Sequence, residues 1–410
     1  MNVALFVDVY YPFINGVVTH VAMLRDSLQK RGHNVLIVTA DPRLRHHTVR
    51  DGILYCPAIG IKKIYGFGLA SPISKHRMSA IAEFKPDIIH VHDEFPVAVF
   101  GAYAAKKLNV PLVYTLHTMY DEYFHYAVSR RMIPIAKQTF YRYINIFANR
   151  ADVIISPSAK AIDFFRECKV TKPVEIIPNS IDTDKFNPDK FSYETVRKKR
   201  AILGISEGDL AGIFVGRLGK EKSVDYLIET WAEEFRDEPR FKLIVVGDGP
   251  ERPALEKLAG SLGVTDKVIF VGKVDHADIP LYFAASDYYV TASLTEMMSI
   301  SMLEGMSMGL PAVIRFDPVN KQQVQDGVNG FIYHDKKQFA EIVRRLAQYT
   351  PTQLDDFHRR VREATLTASS DRNVDKILLQ YEKAKEIHAA RQGKEKRERK
   401  IFRFKTKVGK

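Results

Sequence analysis

The sequence predicts an α/β protein made of two Rossmann-like, doubly wound domains. Strand-like and helix-like segments alternate almost throughout the 410 residues. The strand-like segments are nearly continuous in Val, Ile and Leu, as in a parallel sheet covered on both faces. The alternation is interrupted once, by a stretch rich in Asn, Asp, Pro and Lys at 178–200, and then begins again.

The first series opens with an apolar run at 3–7 and a Tyr/Pro/Gly loop at 10–16. Val17, Val21, Leu24 and Leu28 then share one helical face, Gly32 stops the helix, and 34–39 reads as the next strand. Further strands are expected at 87–91, 111–115 and 153–156. The second series places strands at 210–215, 242–246, 267–271, 288–290 and 312–314, with helical patterns such as 224–235 and 252–262 between them. The domains follow as 1–190 and 200–368. C-terminal helices at 369–390 are placed to pack back on the first domain, and 391–410 is a basic tail. Ligands of such sheets sit beyond the carboxyl ends of the strands, so a cleft between the domains is the expected site.

Composition narrows the function. The net charge is +12, but residues 391–410 hold ten Lys/Arg and two Glu, leaving +4 for the other 390 residues. The charge belongs to a tail more than to the folded body, and without a reader motif it does not point to nucleic acid. Cys56 and Cys168 are too few for a disulfide scaffold or a Cys-rich zinc module. No apolar run approaches the ~18 residues of a membrane span, and the N-terminus has no basic leader. An intracellular protein, soluble or peripheral to a membrane, is expected.

Several loops hold residues that could carry chemistry. Asn15-Gly16 opens a helix, where a bare backbone and the helix N-terminus suit a phosphate, although an ordinary turn glycine reads the same. No G-x-G-x-x-G or P-loop pattern occurs. The first strand of the second series runs into Gly216 and then Arg217 and Lys222, two cations that could clamp a diphosphate or simply face solvent. Val246-Gly-Asp-Gly-Pro250 repeats the strand-then-glycine pattern. Glu296 and Glu304, eight residues apart around a helix start, suit pairs of sugar hydroxyls, while Ser301-x-x-Glu304 also fits a capping box. His117 follows a first-domain strand and could donate to a substrate hydroxyl or serve as a structural histidine. His90 and His92 read as structural, and no metal-binding spacing occurs. Residues 124–150 hold Arg130, Arg131, Lys137, Arg142 and Arg150 with no acid, interleaved with Phe140, Tyr141, Tyr143, Ile144 and Phe147. This is an interfacial helix with an aromatic face, or a packing helix with a basic rim. Phe402 and Phe404 in the tail could dip into an anionic bilayer.

Taken together, the chain resembles family 4 of the glycosyltransferases, retaining enzymes of the GT-B fold. The resemblance covers the chain to about residue 390. It rests on the Asn15-Gly16 loop, Arg31-Gly-His33, Pro178-Asn-Ser-Ile-Asp182, Arg217 with Lys222, Gly247-Asp-Gly-Pro250, and Glu296-x7-Glu304 before Gly309-Leu-Pro311. It implies a nucleotide sugar donor, a UDP-hexose first of all, and neither an intrinsic cofactor nor a bound metal. By position, Arg217 and Lys222 would hold the diphosphate and Glu304 the ribose hydroxyls. Glu296 and the backbone at Met298, Ser299 and Ile300 would hold the sugar, His117 would contact it, and Gly16 would make room for phosphate. Within the family the chain is most similar to bacterial diacylglycerol glucosyltransferases, through the stretch 115–123 and the basic aromatic segment after it. The implied protein is cytoplasmic and peripheral on the inner membrane face, passing a hexose to a lipid acceptor such as 1,2-diacylglycerol. Transfer to a polyisoprenoid-linked or soluble saccharide, and a non-catalytic nucleotide-sugar binder, are the other readings. One departure bears on the donor: Ser299 stands where the family usually has glycine, and 315–325 lacks the usual paired glycines.

Overall fold

Short runs of apolar residues build two largely parallel sheets, one in each of two units. In this computed structural model the units are Met1–Pro178 with Asn373–Lys410, and Asn179–Arg372. The structure describes all residues except 14, 61–67, 119–130, 295, 318–322, 367–369 and 409–410, and except the side chains of 370–371 and 395–408.

In the first unit the strands are β1 (Asn2–Phe6), β2 (Asn34–Asp41), β3 (Thr48–Arg50), β4 (Ile53–Gly60), β5 (Gly68–Ala70), β6 (Ile88–Val91), β7 (Leu112–Thr115), β8 (Val153–Ser156) and β9 (Val174–Ile176). They lie in the order β3-β4-β2-β1-β6-β7-β8-β9, with β5 on β4. Only β3 and β5 run antiparallel to their neighbour β4 among these pairings. Leu5 of β1 sits between Ile37 and His90, and four of the five β1 residues are buried, as a central strand covered on both faces requires. The chain winds outward from β1 to one side and returns to place β6 on the other, so the strand order reverses at β1/β6.

The sequence pattern did not anticipate β3, β4, β5 and β9, nor, in the second unit, the strand Gly330–Tyr333. β3, β5 and β9 have three residues each, too few to show a period, and β4 carries Pro57 and pairs with strands of both senses.

A single helix runs Ser370–Val408, so the step expected at 390/391 is a change of charge and not of secondary structure. Its first half packs into the first unit. Val374, Ile377, Tyr381 and Ala384 are buried with Val3, Leu5, Ile37 and Val113 in one core. Asn373 donates to the Pro178 carbonyl at 2.8 Å, and Arg31 pairs with Asp375. The Asp152 carboxylate, fully buried, receives the Leu112 N–H at 2.9 Å and faces His388 at 3.2 Å and Arg391 at 2.9 Å. Arg391, counted with the basic tail in the sequence, is thus a structural cation.

The second unit holds β10 (Leu210–Val215), β11 (Phe241–Val246), β12 (Val268–Gly272), β13 (Tyr288–Thr291), β14 (Ala312–Arg315) and β15 (Gly330–Tyr333). They form a parallel sheet in the order β12-β11-β10-β13-β14-β15, which reverses at β10/β13. Helices Val224–Glu234, Arg252–Leu262 and Lys336–Leu346 bury apolar faces in a core that includes Trp231, Phe235 and Phe339. The Trp231 indole N–H is satisfied by the Phe241 carbonyl at 3.1 Å.

Tyr381 is fully buried, with its hydroxyl 2.9 Å from His90 Nδ1. Tyr381→Ala is expected to destabilise the protein by about 3–5 kcal/mol, as large-to-small core changes do. Urea unfolding of the two proteins checks this; a loss under about 1 kcal/mol would mean that the helix does not depend on this anchor.

Candidate active site

Each sheet leaves its functional side chains where the strand order reverses, because the loops leaving the two central strands turn to opposite faces and open a space between them.

In the second unit, β10 ends at Val215, and Gly216 N donates to the Val246 carbonyl at 3.0 Å. Here two loops approach so closely that a side chain is excluded. Gly247 has φ +136°, and a Cβ on it would lie 1.9 Å from the Gly216 carbonyl oxygen. The loop continues through Arg217 into a short 3-10 turn, Lys220–Lys222. Arg217 is half-buried and pairs with Glu221 at 2.5 Å; Glu221 is itself buried, and its carbonyl accepts from Ser293 Oγ at 3.1 Å. Lys222 pairs with Glu296, which comes from the loop after β13 and is 74 residues away in sequence. Of the two expected diphosphate cations, Lys222 is thereby joined to the first glutamate at the β10/β13 switch point, while Arg217 pairs within its own loop.

The following helix, Ile300–Ser307, is capped by Ser299, whose Oγ accepts from Met302 N at 3.3 Å. This gives the departure at Ser299 a local reason, since serine is a better N-cap than glycine. It also removes the capping-box reading of Ser301, which lies inside the helix with its Oγ 3.0 Å from the Tyr289 hydroxyl. Met298 is tied down from the start of the unit: Asn179 Nδ2 donates to its carbonyl at 2.9 Å. Glu304 is 4% exposed, and its Oε1 lies 2.7 Å from His276 Nε2. On the other side of that ring, Lys185 Nζ is 2.7 Å from His276 Nδ1. Sequence reading missed His276 and Lys185. The available signal was position, since His276 stands in the loop just past the carboxyl end of β12.

In the first unit, Gly16 opens the helix Gly16–Lys30, with Asn15 as N-cap accepting from Val18 N at 2.9 Å. His117, half-buried just beyond β7, is 3.2 Å from His92 Nδ1 through its Nε2, and the two rings stack at 5.4 Å. The His20 ring meets His117 edge-on at 4.7 Å. One nitrogen from each of these three rings lies within 4.8 Å of the others, a group that could hold a metal ion, although His92 and His117 already bond to each other. Burial first, and then neighbouring imidazoles, hold His90, His92 and His117 well below the ordinary histidine range, so these rings are neutral near pH 7. Below them, Asp8 Oδ1 accepts from Val97 N at 3.0 Å, and Asp8 N donates to Asp93 at 2.6 Å. Burial pushes Glu94 up to about 8, against the hydrogen bond it receives from Tyr114. Burial and the Asp8 charge raise Asp93 well above the carboxylate range.

Of the two readings of the basic aromatic segment, its described part fits the packing helix with a basic rim. Helix Ile133–Ala148 buries Ile144 and Phe147, while the Tyr143 hydroxyl donates to the Glu94 carbonyl and that of Tyr141 to Glu167 at 2.7 Å. Its aromatic side therefore serves packing. Its exposed residues include Ile135, Gln138, Thr139, Arg142 and Ile146, with Arg131 and Met132 just before its start. Lys137 is half-buried, 4.0 Å from Glu167. Arg130, the stretch 119–130, and the side chains of Phe402 and Phe404 lie outside the described residues. Among the described residues no helix is long and apolar enough to cross a membrane.

Comparison with known proteins gives the family and agrees with the two-unit fold. Residues 14–185 match the family model for Glycosyltransferase Family 4, and 195–364 match that for Glycosyl transferases group 1. The chain is 30% identical over 353 residues to an alpha-monoglucosyldiacylglycerol synthase of Acholeplasma laidlawii, covering 85% of this chain and 88% of that one. It is 28% identical to the synthase of the same name from Streptococcus pneumoniae, over 92% and 88% of the two chains. Among solved structures, the Anabaena protein HepE in complex with UDP and glucose superposes with a TM-score of 0.72 at 20% identity, over 93% of this chain and 99% of that one.

The buried groups of the first unit set a pH dependence. From about pH 4.5 to about 8 the folded state keeps a proton on Glu94 that the unfolded chain has lost, so stability falls as pH rises through that window. Below about pH 6.5 the unfolded chain protonates histidines that stay neutral when folded, so stability also falls as pH drops. Thermal midpoints between pH 4 and 9 are expected to peak at about pH 5–6.5. Glu94→Gln should flatten the alkaline limb; an unchanged limb would mean that Glu94 titrates normally.

Proposed function

The chain belongs to family 4 of the glycosyltransferases and has the GT-B fold, and from that premise we propose that it passes a hexose, most simply glucose, from UDP-hexose to a membrane lipid such as 1,2-diacylglycerol. The observation that carries the catalytic half is the joining of Lys222 to Glu296 at the β10/β13 switch point, with Arg217 in the same loop. Both cations stand at the carboxyl end of the central strand, where a sheet of this class receives phosphate. Arg217 and Lys222 stabilise the charge that grows on the diphosphate as its bond to the sugar C1 breaks. The acceptor hydroxyl oxygen bonds to C1 on the same face, and its proton passes to the departing diphosphate oxygen, so the anomeric configuration is retained. Glu296 holds Lys222 in place before the donor arrives and then serves the sugar hydroxyls. Glu304 takes the ribose, the backbone at Met298–Ile300 lines the sugar, Gly16 leaves space for phosphate, and neutral His117 donates a hydrogen bond to the sugar.

The lipid half is supported by the two relatives, each an alpha-monoglucosyldiacylglycerol synthase, and by the distribution of charge. The helix that ends at Val408 carries seven Lys/Arg from residue 395 onward, against two Glu. With Arg131, Arg142 and the exposed aliphatic side chains of Ile135 and Ile146, it gives the protein a basis for sitting peripherally on an anionic inner membrane face.

Purified protein, labelled UDP-glucose and anionic vesicles containing diacylglycerol are expected to give a labelled lipid; no labelled lipid from any nucleotide sugar would overturn this function. Arg217→Ala and Lys222→Ala should each lower kcat by about 10²–10³-fold, the size of losing one oxyanion-stabilising group. Unchanged turnover would remove them from catalysis. Deleting 395–410, which spares the Arg391–Asp152 contact, should weaken sedimentation with anionic vesicles, each near-surface cation contributing about 1 kcal/mol. Equal sedimentation with and without these residues would show that the tail does not touch the membrane.

A further inference from the structure

Lys185, His276 and Glu304 form a line of three side chains drawn from three separate places in the chain: the residues after β9, the loop after β12, and the helix that follows β13. The line fixes which ring nitrogen carries the proton. An ammonium has only donors, so Lys185 Nζ at 2.7 Å requires a lone pair on His276 Nδ1. The proton is then on Nε2, which donates to Glu304 Oε1 at 2.7 Å. The ring cannot swing freely, because Phe186 lies against it at 5.5 Å between centroids and is itself buried. Burial pulls Lys185 down from the ordinary lysine range, while the nearby Glu304 and Asp182 carboxylates pull it up.

The consequence falls on Glu304. A carboxylate that is 4% exposed and held through one oxygen is restricted in how it turns, and its second oxygen can accept hydroxyls. We propose that His276 is a positioning residue that sets the Glu304 carboxylate to read the ribose 2′,3′-diol of the donor nucleotide. The chain thereby discriminates ribonucleotides from deoxyribonucleotides. This rests on the assignment of Glu304 to the ribose in the function above. A site built to bond a hydroxyl rejects the analogue that lacks it, because the buried acceptor is left unpaired. A carboxylate free to turn would lose much of that discrimination while keeping its charge.

The test needs no acceptor and no turnover. Calorimetric titration of the full chain with UDP, GDP and ADP identifies the diphosphate that binds best, and its 2′-deoxy counterpart is then compared. The wild type should prefer the ribo form, His276→Leu should reduce that preference about tenfold or more, and His276→Gln, whose amide can donate to Glu304, should restore most of it. Matched thermal midpoints for the two variants exclude a folding defect, and a loss of preference in Leu without rescue by Gln counts against positioning. Equal binding of ribo and deoxy forms by the wild type, or an undiminished preference in His276→Leu, overturns the inference and leaves the glycosyltransferase reading standing. Failure of every nucleoside diphosphate to bind overturns both.

Discussion

The constraint on which the rest depends is the reversal of strand order in a parallel sheet. Parallel strands need crossover connections, and these are right-handed almost without exception. A sheet that grows in one direction and then in the other must therefore send the connections of its two central strands to opposite faces. The gap this leaves at the carboxyl ends of β10 and β13 receives Arg217, Lys222 and Glu296. The corresponding gap at β1 and β6 receives Asp8, His92 and Asp93. Burying the strands on both faces fixes the frame, and the open ends are then left to carry polar chemistry.

The two switch points handle that polarity differently. In the second unit opposite charges meet: Arg217 with Glu221 and Lys222 with Glu296, the latter two both partly exposed. Such pairs can exchange partners for an anionic ligand. In the first unit like groups are crowded together and buried. Desolvation there outweighs attraction, so imidazoles stay neutral and carboxyls keep their protons. A neutral histidine suits hydrogen bonding to an uncharged hydroxyl, and a charged cluster suits a diphosphate.

The long C-terminal helix has two parts of different composition. Its first half is stitched to the first unit by Tyr381, His388 and Arg391, the last two meeting the buried Asp152. Beyond Arg391 the helix continues while its composition becomes cationic. The helix thus joins a packed anchor to a segment in which Lys and Arg far outnumber Glu.

Periodicity and composition alone determined the α/β class, ten of the strands, and the glycine, cation and glutamate motifs, because each of these is written locally. A buried parallel strand must be apolar residue after residue, and a loop that meets phosphate must be bare or cationic. Periodicity could not reveal three-residue strands such as β5, nor which side of helix Ile133–Ala148 faces the core, since its aromatic and aliphatic faces are both apolar. It offered Ser301 as the cap, and only the backbone conformation at the helix start moved the cap to Ser299. The tertiary structure alone decided that Lys222 meets Glu296, that His276 meets Glu304 and Lys185, and that Arg391 meets Asp152. Each of these joins residues at least 28 positions apart, and such contacts are set by strand order and not by neighbours in the chain.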